Sequence, residues 1–429
     1  MNNIKKLLHS KTVRNGGLFS IFSFFNRGIA FLLLILLAEY INPEQYGELS
    51  LFNTLVMFLG YFAGLSTAGY LSVSYFKRGK NYFNKDFSAI CVITCVVSLL
   101  IAILFVVLHQ YLSELLKVPV PFLYIGVIIS FVNIFVQLNL DYLRVQEKVS
   151  MYGVLSCSFA LLNLLFSLYL VIAADLNWYG RVYAQLVCDV IFGLIALAWF
   201  IKDGLLTFPK DWEIYKMIIL WGAPIIPHQA SGWIKQGLDR YIINVSHSMA
   251  DVGLFSFALN IASVILMIGI AFNQTNSVNL YQTLSTDMPN DIKYKKLQTK
   301  VRNFSFLYFT ATVLIIILGS ICVPIALPKY SDSVPYFILL TIYGFLHCQY
   351  FLYCNYLFYY SKTSQLMWIT FGSSIIHLLL SFALTRYSLY YTAIVYIISQ
   401  GLVTTFVFIQ GKKILHKQLL GLNKYEITN

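Results

Sequence analysis

Arg27 stands at the centre of an apolar run long enough to cross a bilayer, about 11 residues, or roughly 16 Å of helix rise, from either end. A guanidinium at mid-depth costs about 2.5–3.5 kcal/mol on insertion scales, so it must face a protein interior or a wet cavity. There it suits an anionic group moving through the membrane. The structural alternative is an ion pair with Asp189, which also lies near the middle of an apolar run. Asp189 would then be either that partner or a carboxylate that couples a proton or another ion. A second group follows Pro224 and Pro227 in WGAPIIPHQASGWIKQGLDR, where His228, Trp233, Lys235, Asp239 and Arg240 come within one interrupted segment. Proline kinks a helix and is tolerated at depth where backbone lines protein or water. Functionally, these residues offer cations and an indole to an anionic, sugar-bearing ligand, with Asp239 as an ion-coupling or ion-pairing carboxylate. The bland alternative is a hinge with interfacial anchors. A third group, Tyr343, His347, Tyr350 and Cys354, is spaced +4, +3, +4, with Tyr353 beside it, and makes one polar aromatic helix face. Such tyrosines can stack on sugar rings, although helix packing accounts for most tyrosines in membranes. Asn133, Gln137, Asp141 and Arg144 form a comparable polar stripe, and Gly60 and Gly64 a GxxxG pair that suits close helix packing.

The elements that must hold these residues follow from composition. Of 429 residues, 59% are hydrophobic and 11% charged, against roughly 25% charged in soluble domains. A soluble enzyme, a disordered chain and a small disulfide scaffold are thereby excluded. Runs of about 20 mostly apolar residues lie near 16–38, 47–75, 87–108, 120–140, 151–173, 181–201, 214–235, 252–276, 303–325, 335–358, 364–385 and 389–410. The expected fold is all-α, a polytopic membrane protein of about twelve transmembrane helices. None of these runs shows the ten-residue alternation of barrel strands.

Most of the 30 Lys and Arg fall in alternate connecting segments, beginning with Lys5, Lys6, Lys11 and Arg14 and ending with Lys412, Lys413, Lys417 and Lys424. Both termini are therefore expected to be cytoplasmic, and the net charge of +12 reads as topology, with no nucleic-acid partner. The first run contains Arg27 and lacks a small-residue cleavage site, so it reads as a retained helix. The 7 cysteines all fall in apolar runs and are expected as free, buried thiols without disulfides or metal. No GxxxxGK[ST], HExxH or loop DxD pair occurs. With no sizeable extramembrane loop either, the expectation is a transporter that performs no chemistry and needs no cofactor.

The chain reads as duplicated. Gly47 in QYGELSLFN and Gly253 in DVGLFSFAL each open an even-numbered run, and Lys148-Val-Ser and Lys362-Thr-Ser precede the fifth and eleventh. Two six-helix lobes, 1–205 and 206–429, joined through KDGLLTFPKDWE, would form a parallel repeat around a central cavity.

INPEQYGELSLFN with the following GLSTAGYLSVSYF resembles the polysaccharide-export branch of the multidrug/oligosaccharidyl-lipid/polysaccharide (MOP) exporter superfamily. WGAPIIPHQASGWIKQGLDRYIINVSHSMADVGLFSFA and LPKYSDSVPYF are similar to two further signatures of that branch. The resemblance implies a Wzx-type flippase of a bacterial inner membrane. Its cargo would be a polyprenyl-diphosphate-linked glycan, an O-antigen or capsule-type repeat unit, moved to the outer leaflet by alternating access. It further implies contacts with membrane lipids, coupling to H+ or Na+, and polysaccharide polymerase partners. Arg27, Lys235, Arg240, His228, Trp233, Tyr343 and Tyr350 are the expected substrate-binding residues. A cation-coupled multidrug antiporter on the same fold is the alternative; that branch often carries a carboxylate in its first helix, where this chain has Arg27.

Overall fold

The structure, a computed structural model, describes residues 11–223 and 225–421. Lys5, Lys6, Lys424 and Pro224 lie outside them. Sixteen α-helices, several extended by π-helical turns, make up the described chain: α1 Lys11–Tyr40, α2 Pro43–Ala63, α3 Tyr70–Val73, α4 Lys80–Val107, α5 His109–Leu116, α6 Val120–Val145, α7 Val149–Leu168, α8 Asn177–Lys202, α9 Trp212–Gly222, α10 Ile225–Trp233, α11 Asp239–Ser246, α12 Met249–Ser285, α13 Asn290–Ala326, α14 Val334–Tyr359, α15 Thr363–Leu384 and α16 Leu389–Leu415. Among the described residues, 10 helices are long and apolar enough to cross a membrane, or 11 if the pair Pro43–Ala63 and Thr67–Val73, bent by 57°, is one span. The chain is an all-α polytopic membrane protein. Of the twelve runs expected, the one near 214–235 is not a single helix. It is divided into α9, α10 and a π turn at Ile234–Leu238, and Pro227, in the first turn of α10, lacks an amide donor.

The spanning helices expose many large apolar side chains. On α4 alone Val96, Leu99, Leu100, Ile103, Leu104, Val106 and Val107 are exposed, while Asp86, Thr94, Asp189, Asp239 and His377 are buried. That inversion is what lipid demands: apolar side chains meet the bilayer and polar groups pair internally. Buried threonines return their hydroxyls to the preceding turn, as Thr54 does to the Ser50 carbonyl and Thr341 to that of Phe337. All 7 cysteines are free, but Cys95 and Cys322 are exposed and Cys157 is part-buried, so the expectation of uniformly buried thiols is corrected for these three. Their positions on lipid-facing helix sides cost nothing, because a thiol behaves as a small hydrophobe.

The repeated sequence windows fold into repeated turns. Asn42 and Ser248 each cap a helix with a reciprocal box, to Gln45 and Asp251 respectively, five residues before Gly47 and Gly253. Glu147 and Ser361 both take φ 55 immediately before Lys148 and Lys362. In each turn the lysine N–H then reaches back to the carbonyl of a leucine, Leu143 at 2.9 Å and Leu357 at 2.7 Å. The chain divides into two compact units, Met1–Trp233 and Ile234–Asn429, whereas the sequence reading placed the junction at 205/206. The physical reason is local: α9 packs on α4 and α10 on α2, so the first half of the seventh segment belongs to the unit before it. The expected GxxxG crossing is not formed as such. A Cβ on Gly60 would meet nothing within 4 Å, and Gly64 instead ends α2 against Ile134.

Candidate functional site

In the first unit α1, α6, α7 and α8 enclose a cavity of about 370 Å³. Arg27 and Arg181 line it with Asn26, Asn133, Asn163, Gln137 and Gln185. The polar positions recur at helical spacing: Arg181, Gln185 and Asp189 on α8, Asn133 and Gln137 on α6. Each helix therefore turns one polar stripe inward and its apolar remainder to lipid. Arg181 donates to Asn163 Oδ1 at 2.7 Å and to Ser167 Oγ at 3.4 Å. Asp189, fully buried, accepts from Asn133 Nδ2 at 2.8 Å. Arg181 is also the cation whose charge acts on Asp189.

These contacts revise the sequence-based pairing. Among the described residues Arg27 has no ion-pair partner, and the anticipated Arg27–Asp189 bridge is absent, because Asn133 and Arg181 already serve that carboxylate. Arg181 is not among the sequence-based candidates. The signal that could have found it is the +4, +4 spacing of Arg181, Gln185 and Asp189 on one helix. Of the fourth-span stripe, Asn133 and Gln137 reach the cavity, while Asp141 and Arg144 close on each other at 2.7 Å. Trp233 gives its indole N–H to the Thr54 carbonyl at 3.1 Å and packs on Phe58 with ring centroids 4.8 Å apart. That is a packing role within the first unit. The side chain of His228 lies outside the described residues.

The second unit holds the remaining candidates. Lys235 Nζ donates to Ser373 Oγ at 3.2 Å, and Ser373 Oγ donates to the Ser399 carbonyl at 2.7 Å. Arg240 donates through Nε to Ser256 Oγ at 3.0 Å and through a terminal nitrogen to the Gln236 carbonyl. Asp239, 1% exposed, pairs through Oδ2 with Nε2 of the fully buried His377 at 2.8 Å. His377 lies 138 residues away in sequence and is not among the sequence-based candidates. Tyr343, His347 and Tyr350 keep the predicted face: Tyr343 and His347 rings meet edge-on at 6.2 Å and His347 and Tyr350 at 5.5 Å. Tyr343 also contacts Tyr396 at 5.1 Å, and Tyr396 contacts His377 at 4.9 Å.

A polar cavity enclosed by membrane-spanning helices can receive a polar ligand away from lipid. Residues 12–277 match the family described as "Polysaccharide biosynthesis protein". The chain belongs to this family. The chain is 25% identical over 393 residues to the Haemophilus influenzae "Lsg locus putative protein 1", covering 87% of this chain and 90% of that protein. It is 23% identical over 360 residues to an H. influenzae "uncharacterized membrane protein", covering 82% and 84%. Among solved structures, the fold of this polysaccharide family member is similar to the inward-facing conformation of a multidrug resistance MATE family transporter of the MOP superfamily. That similarity has a TM-score of 0.74 at 14% identity and covers 92% of this chain and 96% of that one. An outward-facing MATE structure is similar with a TM-score of 0.67 at 15% identity, covering 96% and 98%. Family and fold together make the chain a member of the polysaccharide biosynthesis family with a MATE-like membrane fold.

Proposed function

We propose that the protein is a flippase that carries a polyprenyl-diphosphate-linked oligosaccharide from the cytoplasmic to the outer leaflet of a bacterial inner membrane by alternating access. The observation that carries this reading is the 370 Å³ cavity lined by both Arg27 and Arg181. Two guanidiniums facing one cavity between membrane-spanning helices suit a bound anion, and their planar forks match phosphate oxygens. The surrounding amides of Asn26, Asn163, Gln137 and Gln185 supply donors and acceptors for sugar hydroxyls. In the second unit, Lys235, Arg240, Tyr343 and Tyr350 are assigned to the cargo as it crosses, and Asp239 to ion coupling. Polymerases acting on the delivered repeat unit are the partners this reading calls for. The cation-coupled multidrug antiporter fits less well, because the cavity presents cations to its cargo.

Replacing Arg27 with Ala should abolish export of surface glycan while the protein still reaches the membrane at wild-type level. Lipid-linked oligosaccharide should then accumulate in the cytoplasmic leaflet. Wild-type export by that variant, or resistance to cationic drugs with no change in surface glycan, would sink the assignment.

A further inference from the structure

We propose that Asp239 and His377 form a proton-loading site, in which the imidazole takes up one proton per transport cycle and the hydroxyl of Ser399 follows its charge state. This rests on the transporter reading above and names the coupling ion for it.

The argument is a count of hydrogens. Nε2 of His377 lies 2.8 Å from Asp239 Oδ2, and Nδ1 lies 3.0 Å from Ser399 Oγ. An ionised carboxylate only accepts, so Nε2 carries a hydrogen. Ser399 has a single hydroxyl hydrogen and two acceptors within reach, Nδ1 and the Tyr396 carbonyl oxygen at 3.2 Å. When the hydroxyl donates to Nδ1, the ring is neutral and the pair with Asp239 carries −1. When it donates to the Tyr396 carbonyl, the 3.0 Å contact remains a hydrogen bond only if Nδ1 is protonated. The ring is then an imidazolium and the pair is neutral. The same heavy-atom positions thus satisfy two states that differ by one proton and one hydroxyl rotation.

The surroundings suit such a switch. Asp239, His377 and Ser399 are at most 1% exposed, so a change of charge there is not absorbed by water. Tyr396 from α16 packs on the His377 ring at 4.9 Å and stands beside Asp239 and Arg240; Lys235 reaches Ser373 one turn away, and Tyr343 and His347 of α14 lie behind Tyr396. Arg240 offsets the −1 state. Asp239 Oδ1 and the Tyr396 hydroxyl are buried and their two side chains interact, so the carboxylate is held by protein groups rather than by solvent. With an imidazole nitrogen occupying one carboxylate oxygen, the donor set suits a proton better than a hard cation that wants oxygen ligands. Lys235–Ser373 and Asp239–His377 are also successive rungs, four residues apart on both sides, and the π turn Ile234–Leu238 lies at the Lys235 rung. A charge change at one rung is therefore felt where the seventh segment is broken, and π turns recur at functional positions.

Two measurements on the full chain in liposomes test this. Nitrogen NMR of histidine-labelled protein, with the His377 signals assigned by their loss in His377→Gln, should show the ring passing from doubly protonated to neutral as pH rises from 5 to 8. A ring that keeps one form across that interval overturns the proposal, whatever the protein transports. In vesicles with the membrane potential clamped by potassium and valinomycin, a pH gradient should accumulate lipid-linked oligosaccharide about tenfold per pH unit, the ratio for one exchanged proton. His377→Gln, which keeps hydrogen-bonding capacity but cannot titrate, should retain downhill movement and lose that accumulation. Accumulation driven by sodium without a pH gradient, or pH-driven accumulation surviving in His377→Gln, overturns the proposal. If wild-type vesicles move no oligosaccharide while His377 titrates, the flippase reading fails and the proton site stands.

Discussion

Arg181 spends one terminal nitrogen on Asn163 and Ser167 and still lines the cavity, so the rest of its five-donor fork is available to a ligand. Asn163, 7% exposed, fixes the plane of that fork. Arg181→Ala is therefore expected to weaken binding of a short-chain prenyl diphosphate by about 1.5–3 kcal/mol, ten- to hundredfold in Kd, the worth of hydrogen bonds to a charged group. Arg181→Lys should recover only part of this, because an ammonium cannot offer a bidentate fork. Titration calorimetry in detergent reads both. Equal affinity in the Ala variant would remove Arg181 from the site. Arg27 reaches the same cavity from α1 with no ion-pair partner among the described residues, and loss of either arginine should be felt by the same ligand.

At the scale of elements, the bend after α2 decides how the broken seventh segment is seated. Leu65 and Ser66 take φ 45 and 55, Thr67 Oγ1 donates to the Gly64 carbonyl at 2.6 Å, and Ser66 Oγ donates to Gln229 Oε1 at 2.8 Å. Gly222, at the end of α9, lies so close that a Cβ there would sit 2.4 Å from the Leu65 carbonyl oxygen. Backbone cannot yield as a flexible side chain would. Gly222→Ala should destabilise the protein by about 1–3 kcal/mol, seen as a lower Tm in detergent. Gly60→Ala, where a Cβ meets nothing within 4 Å, should leave Tm unchanged. A stable Gly222→Ala would mean that α9 is not held against this bend.

For the whole molecule, the distribution of lysine and arginine makes a statement about sidedness that labelling can check. Lys210, in the exposed segment before α9, and Lys329, in the turn before α14, are both exposed and fall on opposite sides in the sequence-based topology. In cells carrying Lys329→Cys, a membrane-impermeant maleimide should label the protein from outside. Lys210→Cys should be labelled only after permeabilisation. The native Cys95 and Cys322, exposed on membrane-spanning helices, should stay unlabelled, since an impermeant reagent does not enter the hydrocarbon. Labelling of Lys210→Cys in intact cells would invert the topology.

The all-helical membrane fold was legible in the sequence because lipid leaves few alternatives. Apolar runs of bilayer length must be helices, and the capping residues Asn42 and Ser248 and the turns before Lys148 and Lys362 mark the same local solutions twice. Arg27 was legible for the same reason, since a charge at mid-depth has few purposes. The partners were not. Asp189 is served by Asn133 across α6 and α8, and Asp239 by His377 from a helix 138 residues away. Which polar stripe faces which depends on the rotation and packing of neighbouring helices, a property of several elements at once. Sequence determined which residues had to be inside and away from lipid. Only the tertiary structure decided which of them meet, because hydrogen bonds are formed at distances of about 3 Å between helices whose separation no local pattern encodes.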